Sequence, residues 1–393
     1  MQPRRVMSAD VLCLSHLRWG FVYQRPNHLM VRCAREHRVF FVEEPRFDAK
    51  VPWMELTKVE PRLWVAVPHL RQHSTPQETD ALQRALLDGL VRQARVREPL
   101  VWMYTPMALA FTRHLQRSLT VYDCMDELSG FRHAPPILRE RERQLFQVAD
   151  LVFTGGHSLY EAKRAHHRHV HAFPSSVDAP HFARARTMIS TPEPADQDHI
   201  PHPRLGFFGV IDERMDLDLV RKLADLRPDF HIVLIGPIAK IDPRYLPRRP
   251  NIHFLGQKSY DELPLYLAGW DVAVMPFALN ESTRYISPTK TLEYLAAGKP
   301  VVSTAIADVV RPYGENGLLR IAGDAATFAD AVTAALAERG TPAFHARRVS
   351  CDALVAQTSW DRTWAHMHAL VRDALVRKGK RDADGEEAPC SIT

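Results

Sequence analysis

The amino-acid sequence predicts an α/β protein built from two domains, each a mainly parallel sheet flanked by helices. Short apolar runs of strand length alternate with amphipathic segments of helix length, which is the pattern of repeated βα units. The pattern starts near Val11, stops over 183–203, a stretch rich in Pro, Asp, Thr and His, and starts again at Arg204. A chain of 393 residues is also too long for one ordinary core. The sequence therefore fits two domains of ordinary size.

The first domain is predicted to hold six strands with helices between them. A bulky loop, HLRWGFVYQRP over 16–26, follows the first strand in place of a glycine-rich phosphate loop. We expect this loop to line an acceptor pocket; the alternative is that its aromatic side chains only cover the edge of the sheet. The strands are expected at 11–15, 38–42, 63–67, 100–104, 119–122 and 151–154, and the helices at 27–36, 76–96 and 136–149.

Two acids, Asp123 and Asp126, directly follow the strand at 119–122. Open α/β sheets bind their ligands at the carboxyl ends of the strands, which is where these side chains are expected to lie. We therefore expect one of the two acids to be functional.

The second domain begins with RLGFFGV, and its first strand is expected to end at Gly209. The loop 210–216 then leads into a helix whose apolar residues share one face. Because the βα units are repeated, the second domain is expected to have the same architecture as the first. Its further strands are expected at 231–236, 251–255, 272–275 and 300–303.

The run SPTKTLEYLAAGKPVVST, from Ser287 to Thr304, predicts a phosphate-binding helix. Ser287 is a typical N-cap, Pro288 suits the first helical position, and Gly298 ends the helix. Lys290 lies in the first turn, where the helix dipole disfavours a cation unless an anion binds there. Glu293 lies one turn further on the same face and can accept hydrogen bonds from a ribose diol. The alternative is a solvated Lys and Glu pair.

No segment has the residue spacing of a known metal site. The cysteines include no CxxC pair, and their mostly apolar neighbours predict free thiols in a reducing compartment. Four histidines alternate with arginines, which would repel a cation, and are expected to form a basic surface patch. Asp216 and Asp218 form a DxD string but lie at a helix start, where the dipole alone favours acids. The cysteines and histidines concerned are Cys13, Cys33, Cys124, Cys351, Cys390, His166, His167, His169 and His171.

The net charge of +5 is modest for this length. It suits an anionic ligand or a membrane surface, and no combination of basic and aromatic residues indicates nucleic-acid binding. The apolar run that starts at Val11 is too short for a signal peptide or a membrane span. We expect a cytoplasmic protein with no nucleic-acid partner, and peripheral contact with the inner face of the membrane stays open.

The run from Ser287 to Thr304 resembles the nucleotide-sugar signature of the retaining glycosyltransferases with the GT-B fold, the glycosyl transferases group 1 or family 4-like enzymes. The resemblance extends over 11–370 and is strongest over 204–304. It implies two Rossmann-like domains that face a central cleft. It also implies a C-terminal helix that crosses back to the first domain, for which Trp360 and Trp364 on one face are suited.

These expectations divide the chain into five parts. The acceptor domain is expected at 1–182, a linker at 183–203 and the nucleotide-sugar domain at 204–357. The returning helix is expected at about 358–377, and the polar tail 378–393 is expected to be disordered.

The resemblance also implies roles for individual residues. Tyr285 stands where much of the family has an acid that contacts the donor sugar, and the nearest acid is Glu281. The chain also has Ser175 and Ser176 where the family has Asn and Gly. The catalytic candidates are Arg214, Lys290 and Asp126; the donor-binding candidates are Gly209, Gly256, Lys258, Ser287, Pro288, Thr289 and Glu293; the acceptor-binding candidates are Gln24, Arg25 and His28.

The sequence thus predicts a glycosyltransferase that moves a sugar from a UDP- or GDP-sugar to a glycan or lipid-linked acceptor. The resemblance implies retention of configuration. We expect no metal or other cofactor, because protein cations would neutralise the departing diphosphate. Two alternatives stay open: an epimerase of nucleotide sugars with the same fold, and a non-catalytic relative that serves as a partner subunit.

Overall fold

The computed structural model describes residues 9–188 and 191–384. Within them the chain forms two separate sheets that are almost entirely parallel, each covered by helices on both faces. The predicted α/β class with two Rossmann-like domains is confirmed. Cys390 lies outside the described residues, and the four described cysteines are buried free thiols.

The first sheet has nine strands among the described residues, in the order β3-β5-β2-β1-β6-β7-β8-β9, with β4 also paired to β5. β4 runs antiparallel to β5 and the other pairs are parallel. The strands β3, β4 and β9 were not predicted. The strands are β1 (Val11–Leu14), β2 (Val39–Val42), β3 (Arg46–Ala49), β4 (Trp53–Glu60), β5 (Leu63–Arg71), β6 (Leu100–Met103), β7 (Leu119–Cys124), β8 (Leu151–Thr154) and β9 (Val170–Ala172).

The helices around the first sheet largely follow the predicted pattern. The first begins at Arg25 rather than at 27, because Gln24 is the N-cap residue and its N–H donates to the Asn27 side chain (3.1 Å). Pro26 then lies in the first turn, where its missing N–H costs nothing. The helices are α1 (Arg25–Cys33), α2 (Pro76–Gln93), α3 (Leu109–Thr112), α4 (Leu138–Val148), α5 (His157–Lys163) and α6 (Ala179–Ala183).

The second sheet has six parallel strands among the described residues, in the order β12-β11-β10-β13-β14-β15. Its buried Val, Ile, Leu and Phe residues form one core with the helices on both faces. The strands are β10 (Arg204–Phe208), β11 (His231–Ile235), β12 (Ile252–Gly256), β13 (Val272–Met275), β14 (Val301–Ser303) and β15 (Arg320–Ile321); the helices are α7 (Leu217–Leu226), α8 (Leu263–Ala268), α9 (Thr289–Ala296), α10 (Ala307–Val309), α11 (Ala325–Ala337), α12 (Pro342–Ala356) and α13 (Trp360–Asp384).

The last helix returns to the first domain, as predicted. Trp360 and Trp364 of α13 are buried in the first-domain core with Trp102. Asp361 accepts hydrogen bonds from Arg32 (3.0 Å) and Arg35 (2.6 Å). The helix continues to Asp384. The expectation of disorder from 378 onward is therefore wrong for residues 378–384.

The two domains also bond to each other beside the cleft. The Asp308 carboxylate of the second domain accepts from the Ser158 N–H of the first (3.0 Å) and is packed so closely on Gly156 that a Cβ there would collide with it. Ser175 N–H donates to the Ser287 hydroxyl (3.3 Å), and the Ser175 hydroxyl donates to the Ser287 carbonyl. These contacts hold the carboxyl edges of the two sheets face to face.

Candidate functional site

A cavity of about 350 Å³ lies between the two domains, at the carboxyl ends of both sheets. Ligands of open α/β sheets bind at this edge. Most of the predicted site residues line this cavity. They are Gln24, Arg25, Asp126, Gly209, Arg214, Lys258, Ser287, Pro288, Thr289, Lys290 and Glu293. His28 and Gly256 do not line it.

The start of α9 faces the cavity without a side-chain cap. Ser287 is not the N-cap as predicted, because its hydroxyl and carbonyl are used by Ser175 of the first domain. Pro288 is the N-cap residue, and within the described part of the chain no side chain caps the helix start. Free N–H groups and the positive end of the helix dipole together form an anion site.

Lys290 adds a full positive charge to this helix start. Its ammonium lies 5.7 Å from the centre of the Phe207 ring, and within the described residues it has no hydrogen-bond or ion-pair partner. Burial lowers the pKa of Lys290; Glu293 acts to raise it and Arg214 to lower it further. An uncompensated cation in this position is suited to bind an anion.

Gly209 makes room for this lysine. Its φ of +141° is in the region that favours glycine. A Cβ at this position would collide with Lys290 Cε and would lie 2.7 Å from Nζ. Gly209 is therefore required at the end of β10, where it lets the ammonium lie against the backbone.

Arg214 is the second cation of the site and is held by an acid that sequence reasoning missed. The buried Asp212 accepts two hydrogen bonds from Arg214 Nε (3.0 and 3.1 Å) and one from Nη2 (2.7 Å). The guanidinium carbon also lies 5.5 Å from the centre of the Phe131 ring. Asp212 therefore fixes the orientation of Arg214. The feature of the sequence that could have identified Asp212 is its position two residues before Arg214.

Glu293 lines the cavity one turn after Lys290. It is buried, and burial raises its pKa to about 7, against the lowering effects of Lys290 and Thr289. The side chain can thus accept hydrogen bonds as a carboxylate above this pH.

Tyr260, which was not predicted, lines the cavity together with Glu293. Its hydroxyl is buried and makes no hydrogen bond among the described residues. Burial raises the pKa of Tyr260, and the Glu293 carboxylate adds to that effect. The ring stacks on His181 with centres 4.2 Å apart and contacts Tyr23 of the first domain with centres 4.6 Å apart. No spacing in the sequence could have shown this position.

Asp126 faces these residues from the first domain. Burial raises its pKa to about 6, although Arg214 and Arg25 act to lower it. A carboxyl group with a pKa near neutrality in a cleft is a candidate for hydrogen bonding to, or proton exchange with, a bound hydroxyl.

The three residues predicted to bind the acceptor lie in different environments. The Arg25 guanidinium is bound to the buried Asp123 (2.9 and 3.1 Å) and to the Phe173 carbonyl (2.7 Å). Each guanidinium nitrogen thus donates inside the protein, although Arg25 also lines the cavity, and its role as an acceptor ligand stays a prediction. His28 stacks on Trp360 with centres 4.7 Å apart, and burial lowers its pKa to about 3. Gln24 lines the cavity at the start of α1.

The predicted base-binding turn contributes Lys258 but not Gly256 to the cavity lining. Gly256 has a φ of +69°, and its carbonyl accepts from the N–H of Gly236, which lines the cavity (2.8 Å). Lys258 lines the cavity, but its ammonium pairs with Asp196. Gln257 donates to the Phe21 carbonyl, which ties the loop 16–26 of the first domain to the second.

Tyr285, which stands where much of the family has a sugar-contacting acid, lies outside the central cavity. It packs against the first-domain core and lines a separate groove with Glu127 and Lys163. Glu281 is exposed and lies 3.8 Å from Arg284. Neither residue lines the central cavity.

The DxD string has a structural role. Asp216 accepts from Leu219 N–H (2.8 Å) as the N-cap of α7, and Asp218 pairs with Arg221 and Lys222. Over 9–188 and 191–384 no group of three or more His, Cys, Asp or Glu side chains is arranged to hold a metal ion. Across the same residues, no helix has the length and apolar composition needed to traverse a bilayer.

Residues 202–338 match the family described as "Glycosyl transferases group 1". A curated relative, "Putative teichuronic acid biosynthesis glycosyltransferase TuaH" of Bacillus subtilis (strain 168), is 27% identical over 202 residues, which are 47% of this chain and 50% of the relative. The chain therefore matches about half the length of that relative.

The fold is that of solved glycosyltransferases. The sucrose-phosphate synthase of Thermosynechococcus elongatus has a TM-score of 0.68 at 15% identity, over 94% of this chain and all of the other. HepE of Anabaena, solved in complex with UDP and glucose, has a TM-score of 0.62 at 13% identity, over 93% of this chain and 99% of the other. At these identities the likeness concerns the fold, which is GT-B as predicted.

Proposed function

We propose, from the match of residues 202–338 to the glycosyl transferases group 1 family, that this chain is a glycosyltransferase. It moves a sugar from a nucleoside diphosphate sugar to a glycan or lipid-linked acceptor, in the cytoplasm. The observation that carries this proposal is Lys290, which has no hydrogen-bond or ion-pair partner among the described residues and lies with Arg214 in the lining of the cavity, at the start of α9.

The donor is a UDP- or GDP-sugar whose diphosphate lies at the start of α9. Lys290, Arg214 and the first-turn N–H groups bind its oxygens. Glu293 accepts hydrogen bonds from the ribose diol, and the Tyr260 hydroxyl lies beside it. The base then contacts the turn at Gln257 and Lys258; what supports this is that both residues line the same cavity as Glu293.

In the reaction the bond between the sugar anomeric carbon and the diphosphate oxygen breaks, and its electron pair stays on the diphosphate. Negative charge then grows next to Lys290 and Arg214, which are already in place to stabilise it. Because Asp212 holds Arg214, little reorganisation is needed. These protein cations take the part that a metal ion has in other transferases, and the proposed transfer is metal-independent and retaining.

The acceptor lies against the first domain. The Asp126 carboxylate accepts a hydrogen bond from the attacking hydroxyl and takes up its proton as the new glycosidic bond forms. Gln24 and the loop 16–26 shape the rest of the pocket.

Calorimetric titration of the full chain with UDP and GDP, followed by hydrolysis assays with candidate nucleotide sugars, tests this function. Binding of one diphosphate and slow donor hydrolysis support it. Binding without any hydrolysis or transfer would instead favour a non-catalytic subunit, and interconversion of the free nucleotide sugar would favour an epimerase. Failure to bind either diphosphate would reject the proposal.

A further inference from the structure

A ribbon of three strands projects from the first sheet beside the cleft. β5 pairs with β2 only over Leu63–Ala66 and then continues to Arg71. Its extension is flanked by β3 and β4, which both reach His69. Because β5 is parallel to β2, the extension points toward the carboxyl edge of the sheet, where the candidate site lies. The turn between β3 and β4 forms the tip of this ribbon.

The ribbon exposes an unusual share of large apolar side chains. At its tip Val51 is 74% exposed, Trp53 49% and Phe47 45%, and Leu56 and Val59 are exposed along β4. Scattered single apolar residues are normal on a protein surface, but the three exposed at the tip lie within seven residues of one turn, which indicates an interaction surface there.

The tip of the ribbon, residues 46–53, carries more positive than negative charge, with Arg46 and Lys50 against Asp48 alone. Asp48 is bonded to His69 (2.7 Å). Arg46 and Lys50 are exposed, and neither forms an ion pair among the described residues. The tip therefore complements an anionic partner.

The tip is also preformed. Trp53 stacks on the buried His69 with centres 4.3 Å apart and an interplanar angle of 13°. The carboxylates bonded to both ring nitrogens of His69 hold this ring in place. An ordered tryptophan with apolar neighbours and flanking cations is the composition that binds at the interface of a bilayer.

We infer that the tip of the ribbon, residues 46–53, docks this protein on an anionic lipid bilayer. Phe47, Val51 and Trp53 enter the headgroup region, and Arg46 and Lys50 contact anionic headgroups. The cleft then opens toward the membrane surface, where a lipid-linked acceptor can reach Asp126. Only this last consequence rests on the proposed function; the docking itself does not.

The test is sedimentation of the full chain with vesicles of phosphatidylglycerol and phosphatidylcholine, and with vesicles of phosphatidylcholine alone. We expect strong binding to the anionic vesicles at low salt and weak binding to the neutral ones. Val51→Asp should lower the partition coefficient at least about tenfold, because it places a charge where apolar burial is needed. Lys50→Glu should lower it roughly 20-fold on anionic vesicles only.

The matched control is Val349→Asp, because Val349 is 69% exposed on α12 of the second domain. It should leave vesicle binding unchanged. If Val51→Asp has no effect, or if both valine variants lose binding equally, the docking surface is wrong. If the wild-type chain does not sediment with anionic vesicles, the exposed tip serves a protein partner and the inference fails.

Quenching by brominated lipid gives a second readout that does not depend on affinity. Trp53→Phe keeps an aromatic ring at the tip, and should bind vesicles within about threefold of wild type while losing most of the quenching. Undiminished quenching in that variant would contradict insertion of the tip. UDP or GDP titrations of the same variants should match wild type. A chain that binds vesicles but no nucleotide would reject the proposed function and leave the docking intact.

Discussion

Each domain forms one wall of the cleft, and the walls differ in whether their cation is bonded to other groups of the protein. On the second-domain wall Lys290 has no partner among the described residues, and α9 begins without a side-chain cap. On the first-domain wall all three guanidinium nitrogens of Arg25 donate to Asp123 or to a backbone carbonyl. Both walls contain a cation at the start of a helix that lines the same cavity.

This difference indicates which cation serves ligand binding and which one stabilises its own domain. The Arg25 side chain is only 3% exposed and is bonded to a fully buried carboxylate, so it holds its own domain together and has little left to offer a ligand. Lys290 has no such bond among the described residues, and Arg214, although Asp212 holds it through Nε and Nη2, keeps 27% of its side chain exposed. We therefore assign the diphosphate to the second domain. The first domain then recognises a neutral sugar through shape and a few polar groups.

The largest expected effect is on the stability of the first domain. Arg25→Ala would leave Asp123, which is fully buried, without its charge partner. The free energy of unfolding should fall by about 3 to 5 kcal/mol, as for other broken buried ion pairs. Chemical denaturation measures this loss, and nucleotide affinity of the folded variant should stay near that of wild type. If the folded Arg25→Ala variant lost as much free energy of nucleotide binding as of unfolding, Arg25 would also serve the nucleotide site, and the two walls would not differ in role.

The next effect is on catalysis by the second domain. Lys290→Ala should lower kcat/KM for donor hydrolysis by roughly 10²- to 10³-fold, with a fall in kcat as well as in affinity, because Lys290 binds more strongly as charge grows on the leaving group. Lys290→Arg should not restore the rate fully, since a planar fork cannot replace a compact ammonium in the first helical turn. Steady-state hydrolysis of the donor measures both variants.

Lys222→Ala is the matched control for Lys290, because Lys222 is exposed on α7 and pairs only locally with Asp218. It should be kinetically silent. A rise in KM with unchanged kcat in Lys290→Ala would make Lys290 a uniform binding residue. If neither kcat nor KM changed in Lys290→Ala, α9 would not be part of the donor site.

A smaller effect is expected for Glu293→Ala. Loss of the hydrogen bonds to the ribose diol should cost about 1.5 to 3 kcal/mol of donor affinity. The 2′,3′-dideoxy nucleotide should already lack this contribution, so the two losses should not add in a double-mutant cycle. Full additivity would mean that Glu293 has another role.

The pKa of Glu293 gives the same contact a pH dependence. With a pKa of about 7, the group is a carboxylate above that pH and a neutral acid below it. Nucleotide affinity should therefore fall as the pH is lowered through 7, because a neutral acid accepts hydrogen bonds less strongly. Calorimetry of the wild type and of Glu293→Ala distinguishes this from titration of the phosphates, since only the wild type should show the additional dependence.

The smallest expected effect is that of a chelator. Because protein cations and the helix start form the diphosphate site, EDTA should change nucleotide affinity by less than about twofold. Calorimetry with and without EDTA measures it. Abolition of binding by EDTA would restore Asp216 and Asp218 as candidate metal ligands, despite their local hydrogen bonds.

Local spacing in the sequence was enough to predict the donor half of the site. The Lys290 and Glu293 pair lies on one face of α9 because residues three apart do so in any helix, and alternation of strands and helices predicted both sheets. The cap of α9 was misplaced by one residue, since Ser287 bonds to Ser175. That bond joins the two domains, and no local pattern reveals it. The donor, the acceptor and the stereochemical outcome stay predictions.

The tertiary structure alone decided which charged groups remain available to a ligand. Arg25 and Asp123 are 98 positions apart and meet because β1, β6 and β7 are neighbours in the first sheet. Tyr260 reaches Glu293, and the tip at Val51 extends past the sheet edge, for similar reasons of chain topology. Propensity and periodicity act over one or two helical turns. The neutralisation of a charge depends on whatever the fold brings within a few ångströms of it.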